Sequence, residues 1–146
     1  MATYTIREEK ELSAIAREIL DTLPRKETAS VIALQGDLGA GKTAFTKALA
    51  RELGIIDHVT SPTFVIMKSY EVIKHPSIKM LTHIDAYRID DVDEMRVLGF
   101  SLILGDPTRI VCIEWPERIQ ELIPEDALRV RIQIEKTGER TLKIEF

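Results

Sequence analysis

One continuous segment of the chain has the residues needed to bind a nucleotide. Eight successive residues match the G-x-x-x-x-G-K-[ST] pattern of a phosphate-binding loop: Gly36, Asp37, Leu38, Gly39, Ala40, Gly41, Lys42 and Thr43. The glycines let several backbone N–H groups point at one phosphate, the lysine supplies a positive charge, and the threonine hydroxyl can ligate magnesium. An apolar run at 31–34 precedes the segment and a helix-forming run at 44–53 follows it. This context favours a nucleotide site over an ordinary glycine turn.

Two carboxylates that follow predicted strands could complete such a site. Glu114 ends the apolar run at 110–113, in the pattern of a Walker B strand whose acid emerges beside the phosphate loop. Asp85 ends a less apolar run. The alternatives are a solvated glutamate before a proline turn and a capping or turn aspartate. We expect Lys42, Asp85 and Glu114 to act in catalysis and Thr43, Glu114 and Asp85 to hold the metal, although the sequence leaves open which acid is closer to it.

Three further features lie near these groups in the sequence. A switch segment that senses the γ-phosphate and magnesium is predicted after the phosphate-loop helix, at Thr60, Ser61, Pro62, Thr63 and Phe64. The same residues are also typical of an ordinary turn. His83 shares a strand face with Asp85, where a supporting role competes with that of an ordinary packed histidine. Trp115 follows Glu114 and is a candidate for a pocket wall or partner contact, with core packing as the alternative.

Hydrophobic periodicity predicts an α/β fold that would position these groups. The predicted elements are a helix at 8–23, a strand at 62–73, a strand at 80–85, a helix at 91–104 and a strand at 109–114. The link at 74–79 favours antiparallel pairing, because a parallel crossover needs about a dozen residues. Beyond residue 128 the tail alternates as a C-terminal β-hairpin that turns at 136–139 and ends at Phe146. We therefore predict a single P-loop NTPase-like domain over residues 1–146, with a mixed, mostly parallel central sheet flanked by helices.

Composition limits the functions that the chain can have. Its 146 residues, 45% hydrophobic and 30% charged, suit one globular domain. A net charge of -4 argues against a protein that binds nucleic acid by itself, because such binding needs a basic face. Cys112 is the only cysteine, so no intramolecular disulfide forms. No signal pattern and no run of eighteen apolar residues occurs, and we expect a cytoplasmic protein.

Four segments in this order and spacing resemble the bacterial TsaE (YjeE) family: the phosphate loop, the segment at 60–64, the segment at 83–88 and the Glu-Trp-Pro run at 114–116. The similarity spans nearly the whole chain. It implies an ATPase, with Mg²⁺, that is required for threonylcarbamoyladenosine formation at position 37 of tRNAs that read codons starting with A. It also implies TsaD and TsaB as partners. TsaD would carry the transferase chemistry, the ATPase would sustain repeated turnovers, and tRNA would be met only through the complex.

The resemblance also implies roles for single residues. It places Lys42 on the β- and γ-phosphates, Thr43 and Glu114 on magnesium, and Asp85 as a supporting acid, and it marks Trp115 as functionally required. The adenine pocket is not assigned in the same way. Family members often have a threonine near the start of the first helix, in reach of the nucleotide, whereas the nearest residue here is Glu11.

Arg140, in the Gly-x-Arg position of the terminal hairpin, is a candidate base or ribose contact. The chain shows no obvious arginine finger, and phosphate-loop proteins that lack one hydrolyse slowly until a partner completes the site. We therefore predict weak intrinsic hydrolysis that the partners stimulate.

Three other functions are consistent with a phosphate loop. The segment at 85–88 would suit a small-molecule kinase, but the residues after 115 leave little room for a lid and an acceptor domain. A GTP switch typically recognises guanine with an Asn-Lys-x-Asp segment, and the chain contains no asparagine. The non-enzymatic alternative is an assembly scaffold in which nucleotide binding only fixes the shape.

Overall fold

Seven β-strands form one sheet in the computed structural model of the chain, which describes residues 2–145. The strands are β1 Ala2–Ile6, β2 Ser30–Gln35, β3 Met67–Glu71, β4 Met80–Asp85, β5 Arg109–Glu114, β6 Leu128–Ile134 and β7 Arg140–Glu145. Their spatial order is β1-β7-β6-β2-β5-β4-β3. β2 is apolar and buried along nearly its whole length, as expected of a central strand that is covered on both faces.

The four central strands of the sheet are parallel. β2 pairs with β5 and β6, and β4 pairs with β5, all in the same direction. The outer strands β1, β7 and β3 are antiparallel to their neighbours. The predicted mixed sheet and C-terminal hairpin are confirmed, except that Phe146 lies outside the described residues. Asp85 is the register partner of Glu114, so the carboxyl ends of β4 and β5 place the two acids side by side.

Helices cover both faces of this sheet. They are α1 Leu12–Thr22, α2 Lys42–Glu52, α3 Asp93–Val97 and α4 Phe100–Leu104, with 3-10 helices at Glu9–Glu11 and Pro116–Leu122. The apolar stripe of α1 packs with α2 against one face, where Phe45 and Leu49 are fully buried. Met95, Phe100 and Ile119 fill the other face. Because each face of β2 and β5 is covered, the carboxyl edge of the sheet is held between two packed layers. None of the helices within residues 2–145 is long and apolar enough to span a membrane.

The prediction and the structure differ at three elements. The strand predicted at 62–73 begins only at Met67, because the Pro62 carbonyl accepts hydrogen bonds from the N–H groups of Val65 and Ile66 and closes a turn. The helix predicted at 91–104 is two short helices, because Gly99 adopts a left-handed φ of 77° between them. Strand β1 was not predicted, since it is short and pairs with residues at the opposite end of the chain.

Candidate nucleotide-binding site

The predicted phosphate-binding loop connects β2 to α2. Gly39 and Gly41 have φ angles of 80° and 111°, in the left-handed region that favours glycine. Gly41 directly precedes Lys42, the first residue of α2. The N–H groups in the first turn of an α-helix have no intrahelical partner, so they are free to meet an anion in the loop. The backbone therefore has the form of a phosphate cradle.

The side chain of Lys42 folds back across this loop. Only 5% of the residue is exposed, and its Nζ donates a hydrogen bond of 2.5 Å to the Gly36 carbonyl. Nζ also lies 3.6 Å from the centroid of the Trp115 ring, a cation–π contact. Burial lowers the pKa of Lys42, although nearby carboxylates, Glu114 first among them, act in the opposite direction. A phosphate in the loop would supply more of the negative charge that favours the ammonium form.

Trp115 forms one side of this arrangement in an unusual backbone conformation. Its φ of 59° is in the left-handed region, which is costly for a residue with a large side chain. Its ring centroid lies 5.0 Å from that of Tyr87, with the rings tilted by 52°. Trp115 directly follows Glu114, the last residue of β5. The sharp turn at Trp115 directs its indole ring toward Lys42.

Glu114 connects three elements through one carboxylate oxygen. Its Oε2 accepts a hydrogen bond of 3.1 Å from the Thr43 hydroxyl and lies 2.5 Å from Nε2 of His83. Glu114 is 4% exposed and His83 is fully buried. The phosphate loop, β4 and β5 therefore meet at Oε2. The other oxygen, Oε1, accepts no hydrogen bond from the residues that the structure describes.

Asp85 is held in a different way. Its Oδ2 accepts a hydrogen bond of 3.1 Å from the Thr63 hydroxyl, and its Oδ1 accepts one of 2.9 Å from the backbone N–H of Tyr87. Both oxygens of this buried carboxylate are thus engaged by the protein. Asp85 connects the end of β4 to the predicted switch segment, whereas Glu114 connects β5 to the phosphate loop.

The predicted switch segment, residues 60–64, is a turn anchored by its hydroxyls. Ser61 Oγ and Thr63 Oγ1 lie 2.6 Å apart, and Lys68 Nζ donates a hydrogen bond of 2.5 Å to Thr60 Oγ1. Phe64 is 86% exposed, and its ring centroid lies 5.0 Å from the Arg88 guanidinium. The polar part of the segment therefore faces the acids, while its aromatic side chain lies in solvent.

An open cleft of about 270 Å³ lies over these groups. Most of the predicted site residues line it, including Lys42, Thr43, both acids, Trp115 and the switch hydroxyls Ser61 and Thr63. Six predicted site residues do not line it: Gly36, Asp37 and Ala40 of the phosphate loop, and Thr60, Pro62 and Phe64 of the predicted switch.

Two charged residues extend the wall of this cleft: Arg140 and Glu9. The side chain of Arg140 comes within 3.5 Å of the point where a Cβ on Gly41 would lie, and its buried Nε has no hydrogen-bond partner among residues 2–145. Glu11 does not line the cleft; its carboxylate accepts a hydrogen bond from the Arg7 N–H. The unpaired Nε is consistent with the predicted nucleotide contact.

The oxygen atoms in the cleft fit magnesium that is bound together with a nucleotide. Within residues 2–145, no cluster of three or more His, Cys, Asp or Glu side chains forms a complete metal site. Magnesium is commonly held by one or two protein oxygens together with phosphate oxygens and water. The Thr43 hydroxyl and the Glu114 carboxylate, 3.1 Å apart beside the phosphate loop, supply oxygen atoms that fit this kind of site.

Comparison with known proteins identifies the family of the chain. Residues 6–142 match the family described as Threonylcarbamoyl adenosine biosynthesis protein TsaE. The chain belongs to the TsaE family. Its relatives include the tRNA threonylcarbamoyladenosine biosynthesis protein TsaE of Borreliella burgdorferi, 35% identical over 84% of this chain and 83% of that protein. The protein of the same name from Bacillus subtilis is 39% identical over 80% of this chain and 68% of that protein.

A solved structure agrees with this TsaE assignment. The structure described as Bacillus subtilis YdiB matches 98% of this chain and 83% of its own chain, with a TM-score of 0.73 and 30% sequence identity. The predicted resemblance is therefore confirmed. The matched range, 6–142, contains every residue that lines the cleft.

Two contributors to this TsaE-family site have little or no signal in the sequence. Glu9 gave no signal, because its place in the cleft wall depends on the antiparallel pairing of β1 with β7. For His83 the sequence indicates only a supporting role. Its strand parity with Asp85 was visible in the sequence, but its contact with Glu114 depends on the register in which β4 pairs with β5.

Proposed function

We propose that this chain binds ATP with Mg²⁺ and hydrolyses it slowly, as an auxiliary protein in the threonylcarbamoyladenosine modification of tRNA position 37. In this proposal it acts in the cytoplasm with TsaD and TsaB, and it is not the transferase. The names of its relatives support the pathway. The observation that carries the biochemical role is the contact between Thr43 and Glu114 beside a glycine-rich loop.

Each side chain at the cleft has a task in this proposal. Lys42 leaves the Gly36 carbonyl to meet the β- and γ-phosphates, while Thr43 and Glu114 hold magnesium. Magnesium, when bound, neutralises charge that develops on the phosphate oxygens. Asp85 supports the site through the switch hydroxyl of Thr63, and Trp115 provides a wall that orients Lys42.

The exposed apolar side chains around the cleft support a protein partner. Leu38, at the phosphate loop, is 83% exposed, and Phe64 and Val65, at the switch, are 86% and 56% exposed. Neighbouring large apolar side chains in solvent, such as those of Phe64 and Val65, are typical of interaction surfaces. A partner that covered them would also close the cleft and exclude water. In this proposal TsaD and TsaB complete a site that the chain alone leaves open.

The test is ATP turnover by the chain alone and with purified TsaB and TsaD. We expect slow turnover alone and strong stimulation by the pair, because a group that completes a phosphoryl-transfer site can accelerate it by about 10³-fold or more. Fast unstimulated turnover, or failure of a pull-down with TsaB and TsaD both with and without ATP, would contradict the proposal.

Glu114→Gln tests whether hydrolysis matters. We expect this variant to bind ATP but not to hydrolyse it, and to stop repeated rounds of tRNA modification. Glu121→Gln is the matched control, since it removes the same charge from an exposed residue outside the cleft. If Glu114→Gln still supports many rounds of modification, the chain acts as a nucleotide-dependent scaffold instead.

A further inference from the structure

His83 is a fully buried histidine that the proposed chemistry does not otherwise use. It lies on β4, between β3 and β5, with Lys68 and Cys112 as its register partners. Its Nε2 lies 2.5 Å from Glu114 Oε2, and its Nδ1 is sealed from solvent without a hydrogen-bond partner among the described residues. Nε2 therefore contacts the Glu114 carboxylate, whereas Nδ1 contacts no polar group among the described residues.

This arrangement assigns the proton of the ring. An ionised carboxylate only accepts hydrogen bonds, so His83 must donate from Nε2. The buried Nδ1 has no hydrogen-bond partner among the described residues, so the contact with Glu114 is the one polar contact of the ring within the described structure. His83 then acts as a fixed donor, with an orientation set by the strands around it.

The hydrogen bond with His83 determines which oxygen of Glu114 is left to contact a ligand. Oε2 receives both His83 and Thr43. Oε1 receives no hydrogen bond from the described residues and is not among their sealed, unpaired polar atoms. Since Glu114 lines the cleft, Oε1 is the oxygen that the cleft can reach. Without His83, only the Thr43 hydroxyl would hold the carboxylate, and the side chain could rotate.

We propose that His83 is a positioning residue that holds the Glu114 carboxylate so that Oε1 faces magnesium bound with ATP. The inference rests on the proposed function and adds to it a residue outside the phosphate loop. Partners that orient a metal-binding side chain typically change metal affinity by about 10- to 100-fold when they are removed. His83 therefore acts on magnesium, and on ATP only through magnesium.

The test compares two variants of nearly equal size and polarity. In His83→Gln the side-chain amide can reach the position of Nε2 and donate to Glu114, whereas in His83→Asn the shorter amide reaches only the position of Nδ1. ATP affinity is measured by calorimetry with magnesium and in excess chelator. We expect His83→Gln to keep the magnesium-dependent gain in affinity. His83→Asn should lose about 10-fold or more of this gain, with unchanged affinity in chelator.

A merely structural role would give a different pattern. It would lower the melting temperature and weaken ATP binding equally with and without magnesium, and that result would overturn the inference. So would a folded His83→Gln that lost the magnesium dependence. If His83→Asn does not fold, His83→Leu takes its place, because an apolar side chain of similar size suits the buried position.

The inference and the proposed function can fail separately. A wild-type chain that bound no ATP would overturn both. A wild-type chain that bound ATP more tightly with magnesium, together with a His83→Asn variant that did the same to the same degree, would overturn only the role of His83.

Discussion

Gly36 is the glycine of the chain with the least room for a side chain. A Cβ at this position would lie 2.7 Å from the carbonyl oxygen of Ile132 and 3.2 Å from the Cβ of Ala40. Ile132 belongs to β6, which is paired on both sides by β2 and β7, so its carbonyl cannot move away alone. We expect Gly36→Ala to push the start of the phosphate loop away from β6. The free energy of unfolding should fall by about 1–3 kcal/mol, the usual cost of overpacking.

The same displacement should weaken ATP binding. The Gly36 carbonyl accepts the hydrogen bond of Lys42, and the loop must return to its original position to surround a phosphate. If bound ATP forces the displaced loop back to its original position, the free-energy cost of the strain there reduces the binding free energy by the same amount. Because each 1.4 kcal/mol is a tenfold change, a strain of about 1–3 kcal/mol corresponds to a loss of affinity of about 5- to 150-fold. Calorimetric titration with ATP measures this loss, and urea unfolding measures the stability.

Gly99→Ala is the control for this experiment. Gly99 has a left-handed φ of 77°, and no atom lies within 4 Å of the point where its Cβ would lie, so alanine there adds backbone strain without a clash. Strain of this kind costs about 1–2 kcal/mol. Gly99 lies between α3 and α4, away from the cleft, and its substitution should leave ATP affinity unchanged. If Gly36→Ala has the same urea midpoint and the same ATP affinity as the wild-type chain, the predicted clash with the Ile132 carbonyl is wrong.

Three further predictions concern single side chains. Burial raises the pKa of the Cys112 thiol, so a thiol reagent should label the native chain slowly and the urea-unfolded chain fast; rapid native labelling would contradict this. Burial lowers the pKa of Lys42, so the unfolded chain holds more protons and stability should rise with pH between the folded and unfolded pKa values. Lys42→Met should remove that rise in urea midpoint, and an unchanged rise would refute its assignment to Lys42. Thr63→Val should speed amide exchange at residues 60–66, whereas Thr63→Ser, which keeps a hydroxyl for Asp85, should not; equal exchange in both variants would argue against this anchor.

The parts of the fold that local patterns determine could be predicted from the sequence. The run at 110–113 is apolar throughout because β5 is buried on both faces, and this identified a central strand and the acid at its end. The phosphate loop could be recognised because the two glycines that its pattern requires have physical causes: Gly36 has no room for a Cβ, and Gly41 has a left-handed backbone. The strict alternation after Leu128 indicated the terminal hairpin, since one face of β6 and β7 packs on the core while the other stays polar.

Features that depend on contacts between distant residues could not be predicted. β1 is too short to be recognised by pattern, and its pairing of Ala2 with Ile144 joins the two ends of the chain. The Thr, Phe and Val content of residues 62–66 favours a strand, but hydrogen bonds to the Pro62 carbonyl make it a turn. The contact of His83 with Glu114 depends on strand register, and no local pattern encodes it.

Asp85 and Glu114 are register partners on adjacent parallel strands. If their surroundings were alike, the two carboxylates would have the same role. Strands lie about 4.8 Å apart, and like charges at such distances disfavour each other. Here the hydrogen bonds differ, because Asp85 has both oxygens occupied while Glu114 keeps Oε1 unoccupied by the described residues. Glu114 therefore keeps one oxygen that no described residue occupies, whereas Asp85 keeps none. If Thr63 moves to meet a γ-phosphate, its bond to Asp85 breaks and Oδ2 becomes free in the same step. The availability of Asp85 then depends on the position of the switch, whereas that of Glu114 does not, and this difference would let two neighbouring acids serve one site in sequence.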